Sequence, residues 1–127
     1  MAGNATRTIA QLTGSNAERR ALKFLQKKGL ILISKNFRCR LGEIDLIMLD
    51  GHCVVIVEVR YRKKSHFASA AESVDRRKQI KLERTAAMFL GRQPKYSSHT
   101  VRFDVIAFDQ VQDRNCKLQW IRDAFRP

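Results

Sequence analysis

The chain has 127 residues, 44% of them hydrophobic, and carries 25 lysines and arginines against 12 acids, a formal net charge of +13. That length and apolar content suit one domain with one ordinary core, and so basic a surface attracts polyanions, nucleic acid foremost. The composition argues against a membrane or exported protein. There is no run of about 18 apolar residues, no basic-then-apolar leader and no helix pairing a basic face with an aromatic apolar one, so a cytoplasmic location is expected. Cys39, Cys53 and Cys116 are odd in number and form no C-x-x-C pair. They read as reduced thiols, and nothing in their spacing supports a zinc site.

Residues 1–14 are polar, lack apolar periodicity and read as a loose tail ahead of a domain spanning 15–127. Ser15-Asn16-Ala17-Glu18 has the form of a capping box, and Ala17, Ala21, Phe24, Leu25 and Lys28 follow at helical spacing until Gly29. Leu30–Ile33 is a short apolar strand, and Asn36–Arg40 leads to a turn at Leu41-Gly42. Two further strands, Glu43–Leu49 and Val54–Tyr61, flank a loop at Asp50–Cys53, where Asp-Gly signals a hairpin. A long helix is expected from near Glu72 to Leu90, ended by Gly91 and Pro94. Val101–Phe108 and the short Leu118–Ile121 complete an α-β-β-β-α-β-β order.

Side chains alternate across a strand, so Glu43 and Asp45 share one face of their strand, as Glu58 and Arg60 share one face of theirs. A two-residue loop at Asp50-Gly51 sets Glu43 opposite Glu58, and a four-residue loop at Asp50–Cys53 sets Asp45 opposite Glu58. Either parity brings all four to one otherwise apolar face, where like charges repel. A hard divalent cation, Mg²⁺ or Mn²⁺, would offset that repulsion and activate water. The plainer alternative keeps Glu43 and Glu58 at solvated strand ends, paired with arginines. Glu18 borders the buried stripe of the first helix and either points at the sheet or closes the capping box. Lys78 interrupts the stripe Val74, Lys78, Leu82, Thr85 and Phe89, and either faces the acids or snorkels from the core edge.

Taken together, Gly42-Glu43-Ile44-Asp45-Leu46-Ile47, Val57-Glu58-Val59-Arg60-Tyr61-Arg62, Ser73-Val74 with Lys78-Gln79, Arg102-Phe103-Asp104-Val105-Ile106-Ala107 and Trp120-Ile121 with Ala124-Phe125 resemble the YraN-type bacterial proteins over about residues 15 to 126. That family is placed by similarity in the PD-(D/E)xK nuclease superfamily, beside the archaeal Holliday-junction resolvases. The resemblance implies a restriction-endonuclease-like α/β fold, an αβββαβ core with a mixed central sheet flanked by helices. It also implies that Asp45 and Glu58 are metal ligands, that Glu18 matches the helix-one glutamate of the resolvases, and that Glu43 is auxiliary. The chain departs from the motif at Arg60, where the superfamily has lysine. A guanidinium stays protonated and cannot take a proton from water, although it can stabilise charge on a phosphate.

The activity expected is a metal-dependent phosphodiesterase acting on DNA rather than RNA. In it Asp45, Glu58, Arg60 and Lys78 would be catalytic, and Arg62, Lys63, Lys64, Arg76 and Arg77 would steer the backbone. The alternatives are a non-catalytic nucleic-acid-binding module on the same fold and an interaction protein whose charge serves solubility. A monomer and a homodimer are both compatible with the sequence.

Overall fold

Residues 15–62, 72–112 and 115–127 are described by the computed structural model, so the expected tail and the basic pair Lys63 and Lys64 lie outside the described residues. The elements run α1 (Ser15–Lys27), β1 (Ile31–Cys39), β2 (Gly42–Asp50), β3 (Cys53–Arg62), α2 (Arg76–Gly91), a 3-10 turn (Pro94–Tyr96), β4 (Thr100–Gln112) and β5 (Asn115–Phe125). The strands form a single five-stranded sheet in chain order. Only β3 and β4 pair in parallel, the other three neighbours being antiparallel. This is the mixed α/β architecture that the family resemblance implies. Parallel neighbours need a crossover, and α2 lies on it.

Two apolar clusters cover the two faces of the sheet. Ala17, Ala21 and Leu25 of α1 pack with Leu46, Met48, Val55, Val57, Ile106 and Phe108. Leu82, Ala86 and Phe89 of α2 pack with Ile44, Ile47, Val54, Ile56, Phe103 and Val105. The helix α1 ends at the expected place, with Leu30 N–H reaching back to the Leu25 carbonyl at 3.1 Å and both leucines buried beneath it. The second helix starts later than its periodicity predicts, at Arg76, because Asp75 caps it by accepting from Lys78 N–H at 2.9 Å. Val74, assigned to the helical stripe, is buried just ahead of that cap.

Strand β1 is longer than its apolar run, extending through the polar Ser34–Arg38 stretch, because β2 offers it backbone partners along its whole length. The β2–β3 hairpin closes on Gly51-His52, with Asp50 and Cys53 still paired. That shifts the turn one residue beyond Asp50-Gly51. Gly51 then occupies the first loop position with φ 59°, the conformation that two-residue type II′ hairpins reserve for glycine. The resulting register places Leu46 against Val57, so Asp45 stands level with Glu58.

At Gly42 the chain turns from β1 into β2 with φ 151°, and a Cβ there would sit 2.9 Å from Thr85 Oγ1. Thr85 is fully buried and its hydroxyl donates to the Lys81 carbonyl at 2.7 Å, so it cannot swing aside freely. Gly42→Ala is therefore expected to cost about 2–4 kcal/mol, from backbone strain and overpacking together. Urea melts should show the loss, and Thr85→Ala in the same chain should recover the overpacking share.

Candidate functional site

Residues two apart on a strand ordinarily face the same way. Here Ile44 belongs to the cluster beneath α2 and Leu46 to the one beneath α1, so β2 changes face between them, at Asp45. The same change occurs on β1. The ladder runs from Lys35–Leu46 to Phe37–Ile44, and Asn36, directly opposite Asp45, adopts φ 54°. The β2–β3 ladder ends beside this kink, at Leu46–Val57, and the Asp45 carboxylate accepts the Val59 N–H at 2.8 Å. The strands fork here. A side chain at such a fork lies between the two faces of the sheet, and Asp45 is influenced from both: by the Glu18 carboxyl on α1 and by the Lys78 charge on α2.

Glu58 follows Val54 and Ile56 on the α2 face of β3 and is 5% exposed. Its Oε2 lies 3.5 Å from Arg60 Nη1 and 3.6 Å from Lys78 Nζ. Burial, reinforced by the charge of Asp45 and opposed by Lys78 and Arg60, pushes the Glu58 carboxyl up to about 7. Burial likewise raises Asp45, against the opposing Val59 N–H and Lys78 charge. Glu18 is raised by burial and by Asp45, with Asn36 acting the other way. Glu18 and Asp45 share a hydrogen bond, which needs a proton on one carboxyl. The bond raises Glu18 and lowers Asp45.

The expected residues are thus distributed unevenly. Asp45, Glu58, Glu18 and Lys78 converge at the fork. Glu43 stands on the far side of the kink, half exposed, and pairs across strands with Arg38 at 3.0 Å; only its charge reaches Asp45 and Glu18. Arg60 donates to the Ser73 carbonyl at 2.5 Å, which ties β3 to the segment entering α2. Of the steering cations, Arg62 is clasped by Asp109 through two bonds of 2.6 and 2.9 Å, and Arg76 pairs with Glu83 at 3.5 Å, while Arg77 is exposed. Asn36 was not singled out from the sequence. It falls beyond the apolar run Leu30–Ile33, and only the longer β1 makes it an asparagine inside a strand, a residue that tolerates the left-handed conformation a face change demands.

Among the described residues no three acidic, histidine or cysteine side chains form a ready-made metal cage. A pair of desolvated carboxylates nevertheless suits Mg²⁺, which is commonly bound through one or two carboxylates while keeping several waters. The oxygen-only donor set fits a hard cation.

Residues 17–108 match the family model described as uncharacterised protein family UPF0102. A UPF0102 protein of Pseudomonas savastanoi pv. phaseolicola is 50% identical over 119 residues, 94% of this chain and 97% of its own. Another, from Stutzerimonas stutzeri, is 47% identical over 119 residues, covering 91% and 96%. Among the described residues no helix is long and apolar enough to cross a membrane.

Proposed function

We propose that this chain, which belongs to the uncharacterised protein family UPF0102, is a divalent-metal-dependent phosphodiesterase acting on nucleic acid, DNA in preference to RNA. The observation that carries this reading is the convergence of Asp45, Glu58 and Lys78 at a fork in the sheet of a strongly basic protein. A buried carboxylate beside a half-buried one is costly unless something cationic is shared between them. A bound Mg²⁺ or Mn²⁺ would supply Lewis-acid polarisation of a phosphodiester oxygen and a lowered pKa for water.

Asp45 and Glu58 would hold that ion, with Glu18 beside Asp45 to assist them. Arg60 stays protonated and cannot serve as a base, so its part is to hold Glu58 and to offset charge on phosphate. Lys78 approaches the same Glu58 oxygen from the helix and stands in for the lysine that the superfamily motif carries on the strand. It is the group able to hold or pass on a proton beside the phosphate. The Arg60 substitution favours a second reading, a binding module that keeps the fold and has lost cleavage.

Linear, single-stranded, flapped and four-way-junction DNA incubated with Mg²⁺, Mn²⁺ or EDTA should separate the two. Metal-dependent cutting is expected, with Asp45→Ala slower by on the order of 10²–10³-fold, the usual cost of removing one group that stabilises developing charge. Cutting that survives Asp45→Ala would refute the site. Tight binding without any cutting would establish the second reading.

A further inference from the structure

A cleft of about 120 Å³ opens between α1 and β1, lined by Glu18, Arg19, Leu22, Lys35, Asn36 and Leu46. Glu18, which lines it, also neighbours Asp45, so the cleft lies beside the acids at the fork. It is of the same order as cavities that hold a single six-membered ring. Leu46 is buried and Leu22 half-buried, which makes one wall apolar. The carboxyl of Glu18 and the amide of Asn36 place hydrogen-bonding groups beside that wall. Arg19 and Lys35 are exposed, and neither has an ion-pair partner among the described residues. Arg62 and Arg76, by contrast, are held by acids.

A phosphate is a poor occupant for such a space, since it would meet a carboxyl and two leucines. A planar heterocycle suits it better, with its rim on the polar groups and its flanking phosphates on Arg19 and Lys35. We infer that the cleft between α1 and β1 is a subsite for one unpaired base next to the phosphate held at the fork. The preferred substrate is then nucleic acid with a single-stranded or extruded nucleotide, not a continuous duplex. This rests on the phosphodiesterase reading for the position of the neighbouring phosphate.

The test is binding in EDTA, measured by fluorescence anisotropy with a labelled single-stranded DNA oligonucleotide, the same oligonucleotide with abasic sites, and the matching duplex. Leu22→Trp, which fills the cleft, should weaken single-strand binding at least 10-fold and leave duplex binding within 2-fold. Abasic DNA should lose the wild type's preference for single strands. Asn36→Gly keeps the backbone conformation and removes the amide, so it serves where Leu22→Trp fails to fold, with at least a 3-fold loss confined to the single strand. Equal losses on single strand and duplex, or none, would overturn the subsite. Because no metal is present, the outcome is separable from hydrolysis. Cleft-dependent binding without cutting overturns only the phosphodiesterase reading, and cutting with cleft-independent binding overturns only the subsite.

Discussion

Glu58→Gln is expected to abolish metal-dependent cleavage and at the same time to make the protein more stable at pH 8. The fold raises the Glu58 carboxyl to about 7, from an ordinary value of 4.5, chiefly by burying it and secondarily by setting it near Asp45. A carboxyl raised on folding is favoured by the fold in its neutral form. The stability associated with it is complete below pH 4.5, is lost as the pH rises towards 7, and is absent at pH 8. That loss is about 3 kcal/mol. Glutamine is neutral at every pH, so the variant should regain up to that amount at pH 8 and nothing at pH 4, with a flatter stability curve between. The competing view is that the Lys78 and Arg60 contacts make Glu58 a net stabilising ion pair. Glu58→Gln would then lower the urea midpoint at pH 8, the result that would discard the prediction. Millimolar Mg²⁺ offers an internal control. It should raise the wild-type melting temperature at pH 8 by binding the folded state alone, and should do far less for the variant.

This conflict between stability and site is what a sequence can signal. Three acids in E-x-D and E-x-R spacing, on strands made largely of isoleucine, leucine and valine, were legible as a repulsive group on one otherwise apolar face. The order of elements along the chain, with both helices, was legible too, since their apolar periodicities are strong and their turns carry Asp-Gly, Leu-Gly and Gly-x-x-Pro. The face change in β2 was not. Strict alternation groups Glu43 with Asp45, but the kink at Asn36 and Asp45 leaves Glu43 on the exposed side with Arg38. The cation assignments depended on partners far off in sequence. Asp109 lies 47 residues from Arg62, and no local pattern announces that clasp. Hydrophobic periodicity reports which side of an element is buried, whereas charge pairing across strands is settled by register.

Asp104 is the other buried acid, and its replacement should have the largest effect on folding. It lies level with Val57 in the parallel β3–β4 ladder, one position from Glu58, yet alternation places it on the opposite face, with Ile106 and Phe108. It is fully buried and accepts from Arg102 Nε at 3.0 Å, Trp120 Nε1 at 2.9 Å and Asp123 N–H at 2.8 Å. The β4–β5 register explains why it is there. Phe103 pairs with Phe125 but Val105 pairs with Ile121, so β5 carries extra residues at 122–124, and Asp123 takes φ 53°. The carboxylate fills this bulge and satisfies its freed amide. Asp104→Ala leaves two donors, the Trp120 indole N–H and the Asp123 N–H, without their acceptor and Arg102 with Asp50 alone, at 3.0 Å, and is expected to cost about 3–5 kcal/mol, a large part of a small domain's stability. In a thermal melt that amounts to roughly 10–20 °C. Asp104→Asn preserves shape but turns an NH₂ towards donors, so it should lose at least about 2 kcal/mol, separating hydrogen bonding from cavity formation. The two buried acids then divide by function: at a temperature where Asp104→Asn is folded it should cut DNA at close to the wild-type rate, while Glu58→Gln, the more stable protein, should not. A folded Asp104→Asn that cannot cut would place Asp104 in the chemistry instead.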